Sequence, residues 1–248
     1  MIQLRGLYKS FADKKVLQGL DLDIESGQTT TIIGGSGSGK SVLFKHIIGL
    51  MKPDAGSILV DGEDTVRMKE RDLYRLVGKF GMVFQGGALF DSMTVGENVA
   101  FGIPERKGMT AAEIEAAVES SLNQVGLSQV AHLLPAELSG GMKKRVAIAR
   151  VIAKRPSIIM FDEPTTGLDP IMADMINDLI IKVSSAPEIT SIIITHDMVS
   201  AYKISDKIAV LFEGRIIETG SPEEIRNTGN AIVRQFIEGK AEGPIQIR

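Results

Sequence analysis

The sequence predicts an α/β fold in which parallel strands alternate with helices around a phosphate-binding loop. An antiparallel β-subdomain is expected at the N-terminus and a helical subdomain in the middle. Three observations predict this. Gly34-Gly35-Ser36-Gly37-Ser38-Gly39-Lys40-Ser41 fits the pattern Gly-x4-Gly-Lys-Ser/Thr, with a β-branched run before it and helical spacing after it. Ile158 to Phe161 and Ser191 to Thr195 are near-continuous apolar runs, as strands buried on both faces are. Between the two signals, Asp91 to Leu138 takes on helical periodicity.

Taken in order, Leu4 to Ile24 alternates apolar and polar residues around Ala12-Asp13-Lys14 and reads as antiparallel strands. Thr29 to Ile33 is the strand that feeds the phosphate loop, and Lys40 to Leu50 is a helix with Leu43, Ile47 and Leu50 on one side. Ser57 to Val60 is a short strand ending at the turn Asp61-Gly62. Thr110 and Glu113 form a capping box, followed by the stripe Ile114, Val118, Leu122 and Val125. Pro135 closes this interval. Asp169-Pro170 and Ser221-Pro222 suit helix starts, with proline at the first helical position. Gly239 to Arg248 has no periodicity and reads as a tail.

The bulk composition narrows the classes. With 248 residues the chain has room for one large domain, and no linker or internal repeat divides it. A net charge of −3 with no basic stripe argues against a nucleic-acid partner. The absence of cysteine rules out disulfides and thiolate metal sites. No apolar run approaches the ~18 residues needed to span a bilayer, and the N-terminal residues lack a signal-peptide core, so any membrane role is expected to come through a partner.

The chemistry follows from residue types. In the loop Gly34 to Ser41, glycines let successive N–H groups converge on phosphate oxygens at the positive end of the next helix. Lys40 would reach the β- and γ-phosphates, and the Ser41 hydroxyl would ligate Mg²⁺. Asp162 and Glu163 end a buried strand, where Asp162 is suited to hold Mg²⁺ and Glu163 to polarise the attacking water. His196 follows the Ser191–Thr195 strand and should emerge at the carboxyl end of the sheet, the usual ligand side. His46 and His132 fall in helical segments without a supporting motif and read as structural.

Leu138-Ser139-Gly140-Gly141-Met142 lies between the phosphate loop and Asp162-Glu163 and resembles the signature of ABC ATPases. Nearly the whole chain resembles the nucleotide-binding subunit of an ABC transporter, which implies a P-loop NTPase core of ABC ATPase type over residues 1–238, a helical subdomain at about 91–138 and a tail at 239–248. On that resemblance Phe11, which alone reads equally well as a core strand residue, stacks on adenine. Gln85 links the magnesium site to the membrane partner, Asp169 lies in a loop crossing between protomers, and His196 is the switch histidine. ATP and Mg²⁺ are the implied cofactors. The resemblance also implies a head-to-tail homodimer, in which Ser139 and the Gly140 and Gly141 amides of one subunit close over the γ-phosphate bound by the other. Met142 departs from the usual glutamine, so it cannot supply that amide's hydrogen bonds.

Lys40-Ser41-Val42-Leu43, Phe84 to Phe90, Leu138 to Met142 and the ending with Gly243-Pro244 resemble one branch, the Mla-type phospholipid-trafficking ATPases. That branch implies an integral membrane permease, an MCE-type lipid-binding subunit and a small cytoplasmic accessory subunit as partners. It places the chain on the cytoplasmic face of the inner membrane, held there by the permease, with the tail embracing the neighbouring subunit. The apolar stretch Gln85 to Met93 is expected either to dock a permease helix or to belong to the helical core. The alternatives are the ATPase of another ABC importer or exporter, or a DNA-handling ABC ATPase; the latter carry long coiled-coil or DNA-binding insertions before the signature, and none is evident here.

Overall fold

A computed structural model describes residues 1–103 and 108–245. The chain forms two compact units, Met1–Val77 together with the chain from Thr190 onward, and Gly78–Ile189. In chain order the first part of the first unit holds β1 (Ile2–Phe11), β2 (Lys14–Ile24), β3 (Thr29–Ile33), α1 (Lys40–Ile47), β4 (Ala55–Val60), β5 (Glu63–Asp64) and α2 (Glu70–Val77). The second unit holds β6 (Phe80–Val83), α3 (Val95–Phe101), α4 (Ala111–Gln124), α5 (Gly140–Ala153), β7 (Ile158–Asp162) and α6 (Pro170–Ser184). The chain then returns to the first unit with β8 (Thr190–Thr195), α7 (Met198–Ile204), β9 (Lys207–Phe212), β10 (Arg215–Gly220), α8 (Pro222–Arg226) and α9 (Ala231–Glu238).

In the first unit β1, β2, β4 and β5 make the expected antiparallel sheet, in the order β2-β1-β4-β5. β3 runs parallel to both β8 and β9, with Ile33 opposite Thr195 on one side and Val210 on the other. Every residue of β3 and β8 is buried, in keeping with their runs of β-branched residues, which Ser191 alone interrupts. Ile33 and Val210 also join a core with Ala201, Ile208, Ile225 and Val233. The helix after the loop is shorter than predicted. It ends at Ile47, where Gly49 N–H bonds to His46 O at 3.1 Å and Met51 N–H to Lys45 O at 3.1 Å, and Leu50 is left 69% exposed.

The C-terminal stretch read as a tail forms no helix or strand after Glu238 among the described residues, but it is held as far as Ile245. The buried Gln235 side chain of α9 donates to Lys240 O (3.2 Å) and Ile245 O (3.1 Å), and accepts from Ile245 N–H (2.6 Å). Gln246, Ile247 and Arg248 lie outside the described residues.

In the second unit β6 and β7 are parallel, with Val83 opposite Phe161. The Thr110–Glu113 capping box forms as predicted, with Thr110 N–H bonded to the Glu113 carboxylate at 2.7 Å. A second box, Thr94–Glu97, starts α3. Val118, Leu122 and Val125 are buried and Ile114 half-buried, and α3, α4 and α5 pack on one another. His132 sits in a turn rather than a helix, and Pro135–Glu137 forms a single 3₁₀ turn. The buried Asn98 amide knits the preceding segment: it accepts from Phe90 N–H and donates to the carbonyls of Phe90, Met93 and Thr94, at 2.8 to 3.1 Å. Within Gln85–Met93, Leu89 and Met93 are half-buried, and Phe90 is 40% exposed while its ring packs edge-on against Phe101, so the stretch is partly surface and partly core.

Candidate active site

Each unit carries one set of candidate residues. In the first, β3 runs directly into the phosphate loop and α1 begins at Lys40. Gly34 is buried, and a Cβ built on it would stand 2.4 Å from Leu211 O, so no side chain fits. Gly39 caps α1 with φ 108°, a left-handed conformation suited to glycine, and no side chain caps the helix start. The first turn of α1 also lacks an acidic residue, so its orphan N–H groups and dipole favour an anion. Lys40 is nearly buried and donates to Gly34 O (2.6 Å) and Gly35 O (3.1 Å), bracing the curl from inside. Gly35 and Gly37 face open space, and the buried Ser38 hydroxyl has no hydrogen-bond partner among the described residues. Phosphate oxygens fit such a cradle. Ser36 and Ser41 are exposed beside it.

Since Ile33 pairs with Thr195, Gly34 and His196 leave neighbouring strands side by side. His196 is exposed there, and the next residue is clamped: Asp197 N–H bonds to Thr195 Oγ1 at 3.0 Å and its carboxylate accepts from Val199 N–H at 3.0 Å. Phe11 lies where β1 meets β2, opposite Lys14, and two residues further on Val16 O would be 3.2 Å from a Cβ at Gly39. The ring is 44% exposed, with Lys9 Nζ 5.7 Å from its centroid, so Phe11 is not a core residue.

In the second unit the Val83–Phe161 pairing brings Gln85 out beside Asp162 and Glu163. Glu163 has φ 48°, a left-handed conformation that is costly for a residue with a side chain. Its carboxylate accepts from Thr166 Oγ1 at 3.1 Å. Lys144, on α5, is buried and was not singled out from sequence. Its ammonium donates to the backbone carbonyls of Gln85 and, at 3.4 Å, Glu163. Burial draws the Lys144 ammonium below its usual range, opposed by the Asp162 and Glu163 carboxylates. A signal was present: Gly141, Lys144, Ile148 and Val151 fall at helical spacing and all four are buried, so a lysine stands in an otherwise apolar line.

Ser139 is the N-cap of α5, its hydroxyl accepting from Met142 N–H at 3.3 Å, and Ser139 and Gly140 are exposed. Gly141 is buried, and a Cβ there would meet the Met172 side chain at 2.2 Å. Asp169 caps α6 through Ile171 and Met172 N–H, both at 3.0 Å, and the preceding Leu168 lies 3.8 Å from a Cβ built on Gly140. The signature and the Asp169 turn are therefore neighbours. Among the described residues no three His, Cys, Asp or Glu side chains cluster as a metal site, and no helix is long and apolar enough to cross a membrane.

These features define an α/β nucleotide-binding protein of the phosphate-loop class. A family model described as ABC transporter matches residues 17–166. Over its full length the chain is 38% identical to the intermembrane phospholipid transport system ATP-binding protein MlaF of Haemophilus influenzae, spanning 94% of that protein. It is also 38% identical, over 98% of its length, to the probable ribonucleotide transport ATP-binding protein mkl of Mycobacterium leprae, spanning 70% of it. A solved dimeric ATP-binding cassette, in a post-hydrolysis state bound to ADP and phosphate, matches with a TM-score of 0.80 at 31% identity, over 90% of this chain and 99% of that one. The chain belongs to the ABC transporter family, and its fold is that of the ABC ATPase cassette.

Proposed function

We propose that the chain is the ATP-hydrolysing motor of an ABC transporter that moves phospholipid between membranes. The observation that carries this reading is the end-to-end similarity to MlaF, named for intermembrane phospholipid transport. In this reading it works as a homodimer on the cytoplasmic face of the inner membrane, beneath an integral membrane permease, with an MCE-type lipid-binding subunit and a small cytoplasmic accessory subunit. The exposed Phe84 and Phe90 suit the permease contact.

Phe11 stacks on adenine, while Lys40 and the amides of Gly34 to Ser41 hold the phosphates. Ser41, Gln85 and Asp162 would hold Mg²⁺; their hydroxyl, amide and carboxylate oxygens are the hard donors that ion prefers. When bound, Mg²⁺ neutralises charge on the phosphates. Glu163 takes a proton from the attacking water, and His196 hydrogen-bonds the γ-phosphate. Ser139, Gly140 and Gly141 close over the γ-phosphate of the partner's ATP, with Asp169 beside them. ATP binding thus favours the closed dimer and hydrolysis releases it.

The mycobacterial relative, named for ribonucleotide transport, favours a second cargo, ribonucleotides. The test is purification of the membrane complex, identification of bound lipid by mass spectrometry, and assay of ATP-dependent transfer of labelled phospholipid between vesicles. Phospholipid bound and moved supports the proposal. ATP-dependent movement of a labelled ribonucleotide, with no lipid transfer, would replace it.

A further inference from the structure

One helix carries two features that meet nowhere else among the described residues. Its exposed start is Ser139 and Gly140, and from its buried face Lys144 reaches the backbone carbonyls of Gln85 and Glu163. Those two residues follow the ends of adjacent parallel strands, whose pairing with each other runs as far as Val83 and Phe161. Glu163 also holds a left-handed backbone. Such a conformation persists only where surrounding groups fix it.

Filling space does not account for the residue type. A methionine of similar length would fill the same volume, whereas burying an ammonium incurs a large desolvation cost unless it is paired and hydrogen-bonded. The returns visible here are the two carbonyls, one from each strand end, and the nearby carboxylates of Asp162 and Glu163. A single side chain therefore fixes both strand ends to α5.

We propose that Lys144 is a positioning residue for hydrolysis: by gripping Gln85 O and Glu163 O it sets the Glu163 carboxylate and ties it to the α5 helix that begins at the signature. This rests on the reading that Gln85 and Glu163 serve hydrolysis. Lys144 acts through backbone carbonyls, so its contribution lies in the orientation of the base and not in nucleotide affinity.

The test compares full-length Lys144→Met, which keeps the volume and loses the donors, with Lys144→Gln, which keeps an N–H donor without the charge. Phosphate release gives kcat and KM for ATP, and thermal unfolding monitors the fold. Lys144→Met is expected to lower kcat ~10- to 100-fold, the scale of a misplaced catalytic group, with KM for ATP within about 3-fold of wild type. Lys144→Gln is expected to recover part of that loss and to stay below the wild-type kcat. In a Glu163→Gln background, Lys144→Met is expected to cause little further loss, since both act through one group.

Wild-type kcat in a folded Lys144→Met protein would overturn the proposal. So would equal kcat losses in both variants tracking equal losses of thermal stability. If Lys144→Met does not fold, Lys144→Gln decides: lower kcat at unchanged KM and melting temperature supports the positioning role, and wild-type kcat overturns it. Wild-type turnover by Glu163→Gln alone would instead remove the underlying reading, so the two failures are distinguishable.

Discussion

The phosphate loop and the Gln85–Glu163 pair both sit at the carboxyl ends of parallel strands, yet they are shaped by different means. The loop is shaped by what its residues lack: no side chain fits at Gly34, and Gly39 takes a φ that side chains disfavour. The Gln85–Glu163 pair is shaped by a side chain brought from elsewhere, with the Lys144 ammonium gripping backbone carbonyls 59 and 19 residues away. Backbone-coded geometry stands in one contiguous motif. Side-chain-coded geometry needs the tertiary structure to assemble its parts.

The comparison breaks most severely at Gly34. Gly34→Ala places a Cβ 2.4 Å from a backbone carbonyl, which cannot swing aside as a flexible side chain does. ATP affinity is expected to fall about 10²-fold, roughly the 2.7 kcal/mol that overpacking at a closed position produces. Titration with a fluorescent nucleotide checks this; unaltered affinity would mean the loop tolerates a side chain and is not coded by its backbone.

The second unit is more vulnerable through side chains. Asn98→Ala leaves Phe90 N–H and the Met93 carbonyl without their amide partner, while the Phe90 carbonyl keeps Met93 N–H at 3.1 Å. At ~1–3 kcal/mol for each buried group left unsatisfied, partly offset by water, stability should fall by about 2–4 kcal/mol. Urea unfolding measures it, and a loss under about 1 kcal/mol would show that this segment is held by packing instead.

The smallest effect is a pH dependence in the first unit. Burial is the main cause that pulls His46 below its usual value near 6.5; Nδ1 bonds to Val42 O at 2.6 Å and Nε2 has no partner among the described residues. The unfolded chain therefore binds the proton more readily, so the stabilising effect of neutral His46 is present above about 6.5 and is lost as pH falls below it. His46→Gln should flatten the dependence of melting temperature on pH across that range. An unchanged slope would assign it to other groups.

How much was legible in sequence follows the same division. The loop, the β3 and β8 strands and the Thr110–Glu113 cap were readable because each is local: a motif, an apolar run, a four-residue box. The predicted end of α1 at Leu50 failed because three apolar residues at helical spacing do not reveal where the chain turns, and the turn sets in at Ile48. Phe11 was ambiguous between core and surface, since alternation in a hairpin cannot tell which face is covered. The stretch after Gly239 looked unstructured because it carries no periodicity, but Gln235 holds it through hydrogen bonds that no pattern announces. Lys144 is legible only in part: its place in the apolar line of α5 marks a buried cation, but the two carbonyls it touches come together only in the fold.

The central claim is that nucleotide binding and turnover are assigned to separate residue sets, the loop of Gly34 to Ser41 and the pair led by Glu163. Glu163→Gln tests it most directly, with ATP affinity and phosphate release measured on the same preparation. The account predicts wild-type affinity, a dimer that persists in ATP, and turnover lowered by ~10²- to 10⁴-fold. Turnover at the wild-type rate, or loss of ATP binding along with turnover, would contradict it.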